Sequence, residues 1–245
     1  MSASVTLVSL NIERYKHLDT VRDFLAARTP EVACLQEVFE HDVERFARIL
    51  GSASYAFEPM GRRPDEPPPG IMGIAIFSRY PIRHSESHYY VGQAGTLRDS
   101  SMEDVSSYNR VNRMTLVVDI EKDASVFRIA TTHFTWTPDG EPDAAQRQDI
   151  KGLLSGIEDM GELVLCGDFN APRGGEIFAA LSSRYKDNVP DHYISSLDQE
   201  LHRVKGLELM VDGIFSTPQY TVSDVKMVSG VSDHQALVAA VSKKG

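Results

Sequence analysis

Short apolar runs alternate with amphipathic segments along the whole of this 245-residue chain. Segments such as SVTLVSLNI (4–12) and ELVLCGDFN (162–170) have the length and apolar content of buried strands. Between such runs, HLDTVRDFLAAR (17–28) and FEHDVERFARIL (39–50) place apolar residues at helical spacing, and Gly51 is positioned to end the second helix. This alternation predicts an α/β fold.

The remaining segments extend the same pattern. Further predicted strands are VACLQEV (32–38), GIAIFSRY (73–80), VNRMTLVVDI (111–120), SVFRIATTHFTW (125–136), LELMVDGIFS (207–216), YTVSDVKMVS (220–229) and QALVAAV (235–241), and further predicted helices are DAAQRQDIKGLLSGIEDM (143–160) and GGEIFAALSSRY (174–185). Two polar stretches, 59–70 and 92–109, interrupt the alternation as long surface loops. Loops of this length are often functional, and disordered connectors are the alternative. Because no linker or internal repeat divides the chain, residues 1–245 are predicted to form one domain.

The net charge of the chain limits the partners it can bind without a metal ion. With 25 Lys and Arg against 35 Asp and Glu, the formal net charge is −10. This balance argues against the broad basic face that tight, nonspecific binding to duplex nucleic acid requires. It leaves open an enzyme that meets phosphates through a metal ion, because the ion supplies positive charge locally.

Targeting and redox features favour a cytoplasmic protein. The amino-terminal MSASVTLVSLN lacks the basic and apolar regions of a signal peptide, and no stretch approaches the roughly 18 apolar residues of a transmembrane helix. Cys34 and Cys166, the two cysteines, each lie inside an apolar strand-like run. They are predicted to be buried, reduced thiols.

Polar side chains occur where the predicted strands begin or end. These residues are Asn11, Glu37, His133, Asp168, Asn170, Asp212, Asp233 and His234. If the strands share one core, their ends can lie along one edge, where several unpaired carboxylates would be costly to bury. A divalent cation removes that cost, and oxygen ligands from Asn, Asp and Glu suit Mg²⁺ better than zinc. Taken singly, each residue also has an ordinary interpretation as a turn former, helix cap or buried hydrogen-bonding group.

Six short motifs follow one another in a characteristic order. They are SLN (9–11), CLQEV (34–38), TTHF (131–134), CGDFNAP (166–172), MVDGIF (210–215) and VSDHQAL (231–237). In this order the chain resembles the endonuclease/exonuclease/phosphatase superfamily from Asn11 to Leu237, and the combination of GDFN with SDH is its most specific part. The resemblance implies a DNase I-like, four-layer α/β sandwich in which two mixed β-sheets pack face to face with helices outside.

The resemblance also implies a role for each motif residue. The implied ligands of Mg²⁺, or alternatively Mn²⁺, are Asn11, Glu37 and Asp233, and the implied catalytic residues are His133, Asp168, Asn170, Asp212 and His234. Asp212 would hold the imidazole of His234 in one tautomer, and His133 and Asn170 would contact the phosphate. Either Asp168 or His234 would act as the general base, and both assignments stay open.

Three further residues are weaker candidates for substrate binding. Arg113 heads the predicted strand 111–120 and could contact a phosphate, with an exposed strand arginine as the alternative. His202 and Arg203 belong to SSLDQELHR (195–203), which could bind a phosphorylated headgroup or be an ordinary polar loop.

The resemblance predicts hydrolysis of a phosphate ester, but several substrate classes are compatible with it. A nuclease is favoured by Trp136, the only tryptophan, and by Arg62, Arg63 and Arg98 in the two loops. A phosphodiesterase or phosphatase acting on a small soluble molecule is favoured by the acidic net charge. A lipid or phosphoinositide phosphoesterase and a non-catalytic module that retains the fold are the remaining alternatives.

Overall fold

The computed structural model describes residues 3–244 and contains twelve strands and four α-helices. In chain order these are β1 (Ser4–Asn11), α1 (Leu18–Arg28), β2 (Val32–Phe39), α2 (Glu40–Leu50), β3 (Ser54–Arg63), β4 (Gly70–Ser78), β5 (Ile82–Val91), β6 (Arg113–Lys122), β7 (Ser125–His133), α3 (Ala144–Ile157), β8 (Val164–Asp168), α4 (Glu176–Ser182), β9 (Lys186–Asp187), β10 (Asp212–Ser216), β11 (Tyr220–Val228) and β12 (Ala236–Lys243). Within residues 3–244, no helix is long and apolar enough to cross a membrane.

The strands form two six-stranded mixed sheets. The first has the order β11-β12-β1-β2-β4-β3 and the second has the order β5-β6-β7-β8-β10-β9. Each sheet contains one parallel pair, β1 with β2 and β7 with β8, among antiparallel neighbours. The expectation of two mixed sheets is therefore confirmed.

Alternating side chains explain why the sheets form two inner layers. In β1, Leu7 faces the core between the two sheets, whereas the next residue, Val8, packs under helices α1 and α2. In β8, Cys166 faces that same central core, and Leu165 packs against α3 and α4. Successive strand residues point to opposite faces, so both sides of each sheet are buried. The result is the predicted order of helix, sheet, sheet and helix.

The two cysteines contribute to the central core. Cys34 and Cys166 are fully buried and belong to the cluster of apolar side chains between the sheets. Neither forms a disulfide. The predicted burial of both thiols is confirmed.

The two polar stretches are ordered against each other, so the alternative of disordered connectors is wrong, and the prediction of a long surface loop over 59–70 is also wrong, because most of that stretch belongs to a hairpin. β3 continues through 59–63, and Gly70 already belongs to β4, which leaves only a short turn between them. The second stretch docks on this hairpin: Arg62 N donates to Arg98 O at 2.9 Å, and Ser100 N donates to Arg62 O at 3.0 Å. The paired stretches form one wall of the cavity described below.

Candidate active site

The polar strand ends converge on one open cavity of about 180 Å³. Ten of the eleven predicted site residues line it: Asn11, Glu37, Arg113, His133, Asp168, Asn170, His202, Arg203, Asp233 and His234. The eleventh, Asp212, is 3% exposed and is hydrogen bonded to His234. The structure thus brings all of these residues to one end of the sandwich.

Three predicted catalytic residues lie in one row across the second sheet. His133 ends β7 and is the register partner of Asp168, which ends β8. Asp168 is in turn the register partner of Asp212, which begins β10. Strand pairing therefore fixes these three side chains beside one another without help from any flexible loop.

Asp212 orients the His234 imidazole. His234 Nδ1 and Asp212 Oδ2 are 2.7 Å apart, and His234 Nε2 lies 3.8 Å from Asp168 Oδ2. When Nδ1 donates to Asp212, Nε2 is left facing Asp168. Burial lowers the pKa of His234, but the carboxylates of Asp212 and Asp168 outweigh it and hold the pKa well above its ordinary value.

Glu37 reaches the cavity because β2 is irregular at this residue. The pairing of β2 with β4 shifts between Gln36 and Val38, and Glu37 adopts a left-handed φ of 59°. Such a bulge leaves one residue out of the ladder and redirects its side chain. A positive φ at a residue with a side chain costs free energy and is commonly found at functional sites.

Asn11 links the two sheets at the cavity floor. Its Nδ2 donates to Asp168 Oδ2 at 3.1 Å and to Glu37 Oε1 at 3.4 Å. Its Oδ1 accepts from the backbone N of Glu13 at 3.1 Å. Asn11 in the first sheet is thereby connected to Asp168 in the second.

Arg14 lies among several carboxylates beside this floor and was not identified from the sequence. It forms an ion pair with Glu37, contacts Glu66 at 2.7 Å through Nε, and lies 3.8 Å from Glu13. Burial raises the pKa of Glu37, but the Arg14 guanidinium outweighs it, and the pKa of Glu37 is about 2. The position of Arg14 directly after SLN-Ile-Glu was the available signal in the sequence.

His133 is a buried, neutral imidazole. Its Nε2 lies 3.5 Å from Asp168 Oδ2 and 3.9 Å from Glu37 Oε1. Burial and the neighbouring Arg113 lower its pKa to about 4, so the ring is uncharged at neutral pH. Its Nδ1 is buried with no hydrogen-bond partner among residues 3–244.

Asn170 closes the turn that follows Asp168. It has a left-handed φ of 49°, and its backbone N donates to Asp168 Oδ1 at 2.8 Å. Its Nδ2 donates to Phe134 O at 2.9 Å, which uses one of the two amide hydrogens. The other hydrogen has no acceptor within residues 3–244 and is therefore available for a ligand.

The oxygen donors around the cavity fit a hard divalent cation. Burial raises the pKa of Asp233 to about 7, and the nearby carboxylates of Glu13 and Glu37 add to the rise. The charge of His234 opposes this rise without overcoming it, so a cation bound beside Asp233 would favour its ionised form. Together with Asn11, Glu37 and Asp233 offer the amide and carboxylate oxygens that Mg²⁺ prefers.

A second group of ligand atoms lies close by. Three side chains, those of Asp168, Asp212 and His234, each offer one ligand atom, and these three atoms lie within 4.8 Å of one another. In this group the His234 and Asp212 side chains are already hydrogen bonded to each other. The oxygen-only set is therefore the better match to a hard cation, and this group is better described as a hydrogen-bonded triad.

Arg113 is buried, so the alternative of an exposed strand arginine is wrong. It is 4% exposed, and its guanidinium donates to His133 O and to Tyr108 O, each at 3.0 Å. His202 and Arg203 line the cavity, and His202 Nδ1 lies 3.1 Å from the backbone O of Val204. Arg113 thus supports the backbone beside His133 as well as lining the cavity.

Comparison with known proteins agrees with this geometry. The model of the endonuclease/exonuclease/phosphatase family matches residues 8–234, which is most of the chain and includes every motif residue from Asn11 to His234. No curated protein sequence matched the chain.

Solved structures show the same fold at low sequence identity. An endonuclease/exonuclease/phosphatase from Bacteroides vulgatus is 18% identical with a TM-score of 0.73, over 99% of this chain and 100% of that chain. The human Nocturnin catalytic domain, solved with a bound sulfate anion, is 19% identical with a TM-score of 0.69, over 100% and 97%. A mannosyl-6-phosphatase from Bacteroides thetaiotaomicron is 14% identical with a TM-score of 0.67, over 97% and 99%.

Proposed function

Because the chain belongs to the endonuclease/exonuclease/phosphatase family, whose members are phosphoesterases, we propose that it is a Mg²⁺-dependent hydrolase of phosphate esters. The observation that supports this most directly is the His133–Asp168–Asp212 row, with His234 hydrogen bonded at its end. A positioned water would attack phosphorus, forming one P–O bond while the ester P–O bond breaks and the leaving alcohol takes up a proton.

Asn11, Glu37 and Asp233 would hold the metal. When bound, Mg²⁺ supplies positive charge to the phosphate oxygens, and Mn²⁺ could substitute for it. The raised pKa of Asp233, to which the carboxylates of Glu13 and Glu37 contribute, supports this location.

The protein side chains would divide the remaining work. Asp168, or His234 in its unprotonated form, would take the proton from the attacking water; both line the cavity, and Asp168 Oδ2 lies 3.8 Å from His234 Nε2. Asp212 would keep His234 in the tautomer that presents Nε2. His133 and the free amide hydrogen of Asn170 would donate to the non-bridging phosphate oxygens.

The substrate we favour is a small soluble phosphate ester. The net charge of −10 and the small cavity support it over a long polyanion. Nucleic acid is the second candidate, because Tyr108 and Trp136 form an aromatic pair at the cavity with ring centroids 5.5 Å apart. Aromatic side chains in such positions stack bases.

A substrate panel tests the proposal. Phosphate release from sugar phosphates, nucleotides and phosphodiesters would be measured with Mg²⁺ or with EDTA, alongside cleavage of labelled single-stranded, duplex and abasic-site oligonucleotides. We expect hydrolysis of at least one substrate, abolished both by EDTA and by Asp168→Ala in a variant that still unfolds cooperatively. A folded wild-type protein that hydrolyses nothing, or whose activity survives EDTA, would contradict the proposal.

A further inference from the structure

Arg63 is a buried cation that the proposed hydrolysis does not use. It is 6% exposed, ends strand β3 and lines the cavity. Its Nε and Nη1 are buried with no hydrogen-bond partner among residues 3–244. Arg14 also has two buried nitrogens without a well-directed hydrogen bond, but it forms ion pairs with Glu37 and Glu66, whereas Arg63 forms no ion pair within residues 3–244. A buried guanidinium with unmet donors is costly, which indicates that a ligand completes its hydrogen bonding.

The aromatic wall beside Arg63 holds its guanidinium in place. The Arg63 Cζ atom lies 5.5 Å from the centroid of the Tyr108 ring, and that ring meets Trp136 edge-on. Tyr108 is itself fixed, because its hydroxyl donates to Met102 O at 3.2 Å. Asn109 binds both the backbone N and O of Trp136, at 3.2 Å and 2.7 Å. The wall is therefore formed before any ligand binds.

The backbone around Arg63 is equally constrained. Gly61 packs so closely that a Cβ atom there would lie 2.5 Å from Val111 and 2.9 Å from the Arg98 carbonyl. The backbone of Arg62 also hydrogen bonds to Arg98 and Ser100, which holds strand β3 against the stretch 92–109. The docked stretch thus presents Arg63 to the cavity from a rigid strand end.

Arg113 joins this region to the proposed phosphate site. One of its guanidinium nitrogens donates to Tyr108 O and another to His133 O. One guanidinium therefore holds the backbone of Tyr108, which packs against Arg63, and the backbone of His133, and both Arg63 and His133 line the cavity. A ligand that spans both positions would place two groups at neighbouring points of one cavity.

We propose that Arg63, backed by Tyr108, forms a second anion subsite, and that the preferred substrate therefore has a second phosphoryl group besides the one that is hydrolysed. This inference rests on the proposed phosphoesterase function. A guanidinium binds phosphate oxygens through two parallel N–H donors, which would satisfy the atoms that now lack partners. Either a small bisphosphate or a nucleotide chain with a flanking phosphate supplies this chemistry.

Matched substrate pairs test the subsite and distinguish its two sources. The kcat/KM of phosphate-ester hydrolysis would be measured for fructose 1,6-bisphosphate against fructose 6-phosphate, and for a 5′-phosphorylated dinucleotide against the same dinucleotide without that phosphate. We expect the kcat/KM of wild type to be about 10- to 100-fold higher for the doubly phosphorylated member of one pair. This ratio corresponds to the free energy that hydrogen bonds to a charged group usually contribute. The pair that shows the preference identifies the source.

Arg62 provides the matched control. It is adjacent, half-exposed and paired with Asp99 at 2.6 Å, so Arg62→Gln removes the same charge without touching the subsite. We expect Arg63→Gln to reduce the preference to near one and Arg63→Lys to keep part of it, while Arg62→Gln leaves it intact. Thermal unfolding would check that each variant is folded.

The failure of the subsite and the failure of the proposed function give different results. If wild type hydrolyses both members of each pair equally, or if Arg63→Gln keeps the preference, the subsite is wrong and the function stands. If folded wild type hydrolyses no substrate, the function is wrong. In that case calorimetric titration of the same pairs decides the subsite, because equal affinities for both members would contradict it.

Discussion

Two glutamates at opposite ends of strand β2 have different surroundings. Glu31, just before the strand, accepts hydrogen bonds from Thr6 N at 2.9 Å, Lys122 Nζ at 2.6 Å and Tyr80 Oη at 2.5 Å. Glu37, at the other end, lies in a backbone bulge with a left-handed φ. Both carboxylates have a lowered pKa, and Glu37 lines the cavity described above, which Glu31 does not.

The two ends of β2 differ in how many buried polar atoms nearby lack a hydrogen-bond partner. Around Glu31, none of the described hydrogen-bonding side chains has a buried atom without a partner. Around the cavity, His133 Nδ1, Arg113 Nε and two Arg63 nitrogens are buried and have none within residues 3–244. Buried polar groups are normally satisfied, so an accumulation of unmet donors indicates where a ligand belongs. The Glu31 end of β2 is thus fully hydrogen bonded within the fold, and the Glu37 end lies beside the unmatched polar atoms of the proposed site.

The sharpest test of this contrast is the removal of the His234 imidazole. We expect His234→Ala to lower kcat by about 10²- to 10⁴-fold, because proton transfer and charge stabilisation by a positioned side chain contribute that much. His84→Ala, which alters an exposed histidine of β5, is the matched control. The measurement is the rate on the best substrate of the panel, and a His234→Ala enzyme with more than about a tenth of wild-type activity would exclude His234 from the mechanism.

A smaller effect is expected from Asp212, which acts through His234. Asp212→Asn should lower activity by about 10- to 100-fold, as changes to orienting partners typically do. Because the Asp212 carboxylate favours the imidazolium form, its loss should also lower the pKa of His234. NMR titration of the His234 ring would measure this shift, and an unchanged pKa would show that Asp212 has only a packing role.

The site was more predictable from the sequence than the edges of the fold were. Residues such as Asp168 and His234 follow or precede strong apolar runs, so local pattern and motif order located them together. β3 and β5 were not predicted, because both include many half-exposed residues and β5 reads IRHSESHYYV. Such strands show neither a continuous apolar run nor strict alternation; they form because a neighbouring strand offers hydrogen bonds.

Arg63 shows a second limit of the sequence pattern. Its position in a Pro- and Gly-rich stretch indicated a surface loop, and nothing local distinguished it from Arg62. Only the docking of 92–109 on β3 buries one arginine and leaves the other half-exposed. Likewise, the bulge at Glu37 depends on the pairing of β2 with β4. Contacts between distant segments determine both features, and a single sequence does not show them.

The smallest expected effect lies at the Glu31 end and concerns stability. Glu31→Gln should lower the free energy of unfolding by about 1–2 kcal/mol at neutral pH, since it removes the charge from three hydrogen bonds, and should leave kcat unchanged. Glu121→Gln is the matched control, because Glu121 is more exposed and its side chain contacts only Arg83 among the described ion pairs.

The pH dependence of this effect has a defined sign. Burial raises the pKa of Glu31, but the hydrogen bonds from Lys122, Tyr80 and Thr6 outweigh it, so its folded-state pKa lies below the ordinary value of 4.5. The ionised carboxylate therefore stabilises the fold above pH 4.5, and this contribution is lost as the pH falls through the folded-state value. Melting temperatures of wild type and Glu31→Gln should thus converge on acidification. A gap that does not narrow as the pH falls below 4.5 would contradict the stabilising role of the Glu31 carboxylate. A loss of activity in Glu31→Gln at neutral pH would show that this end of β2 also affects the site.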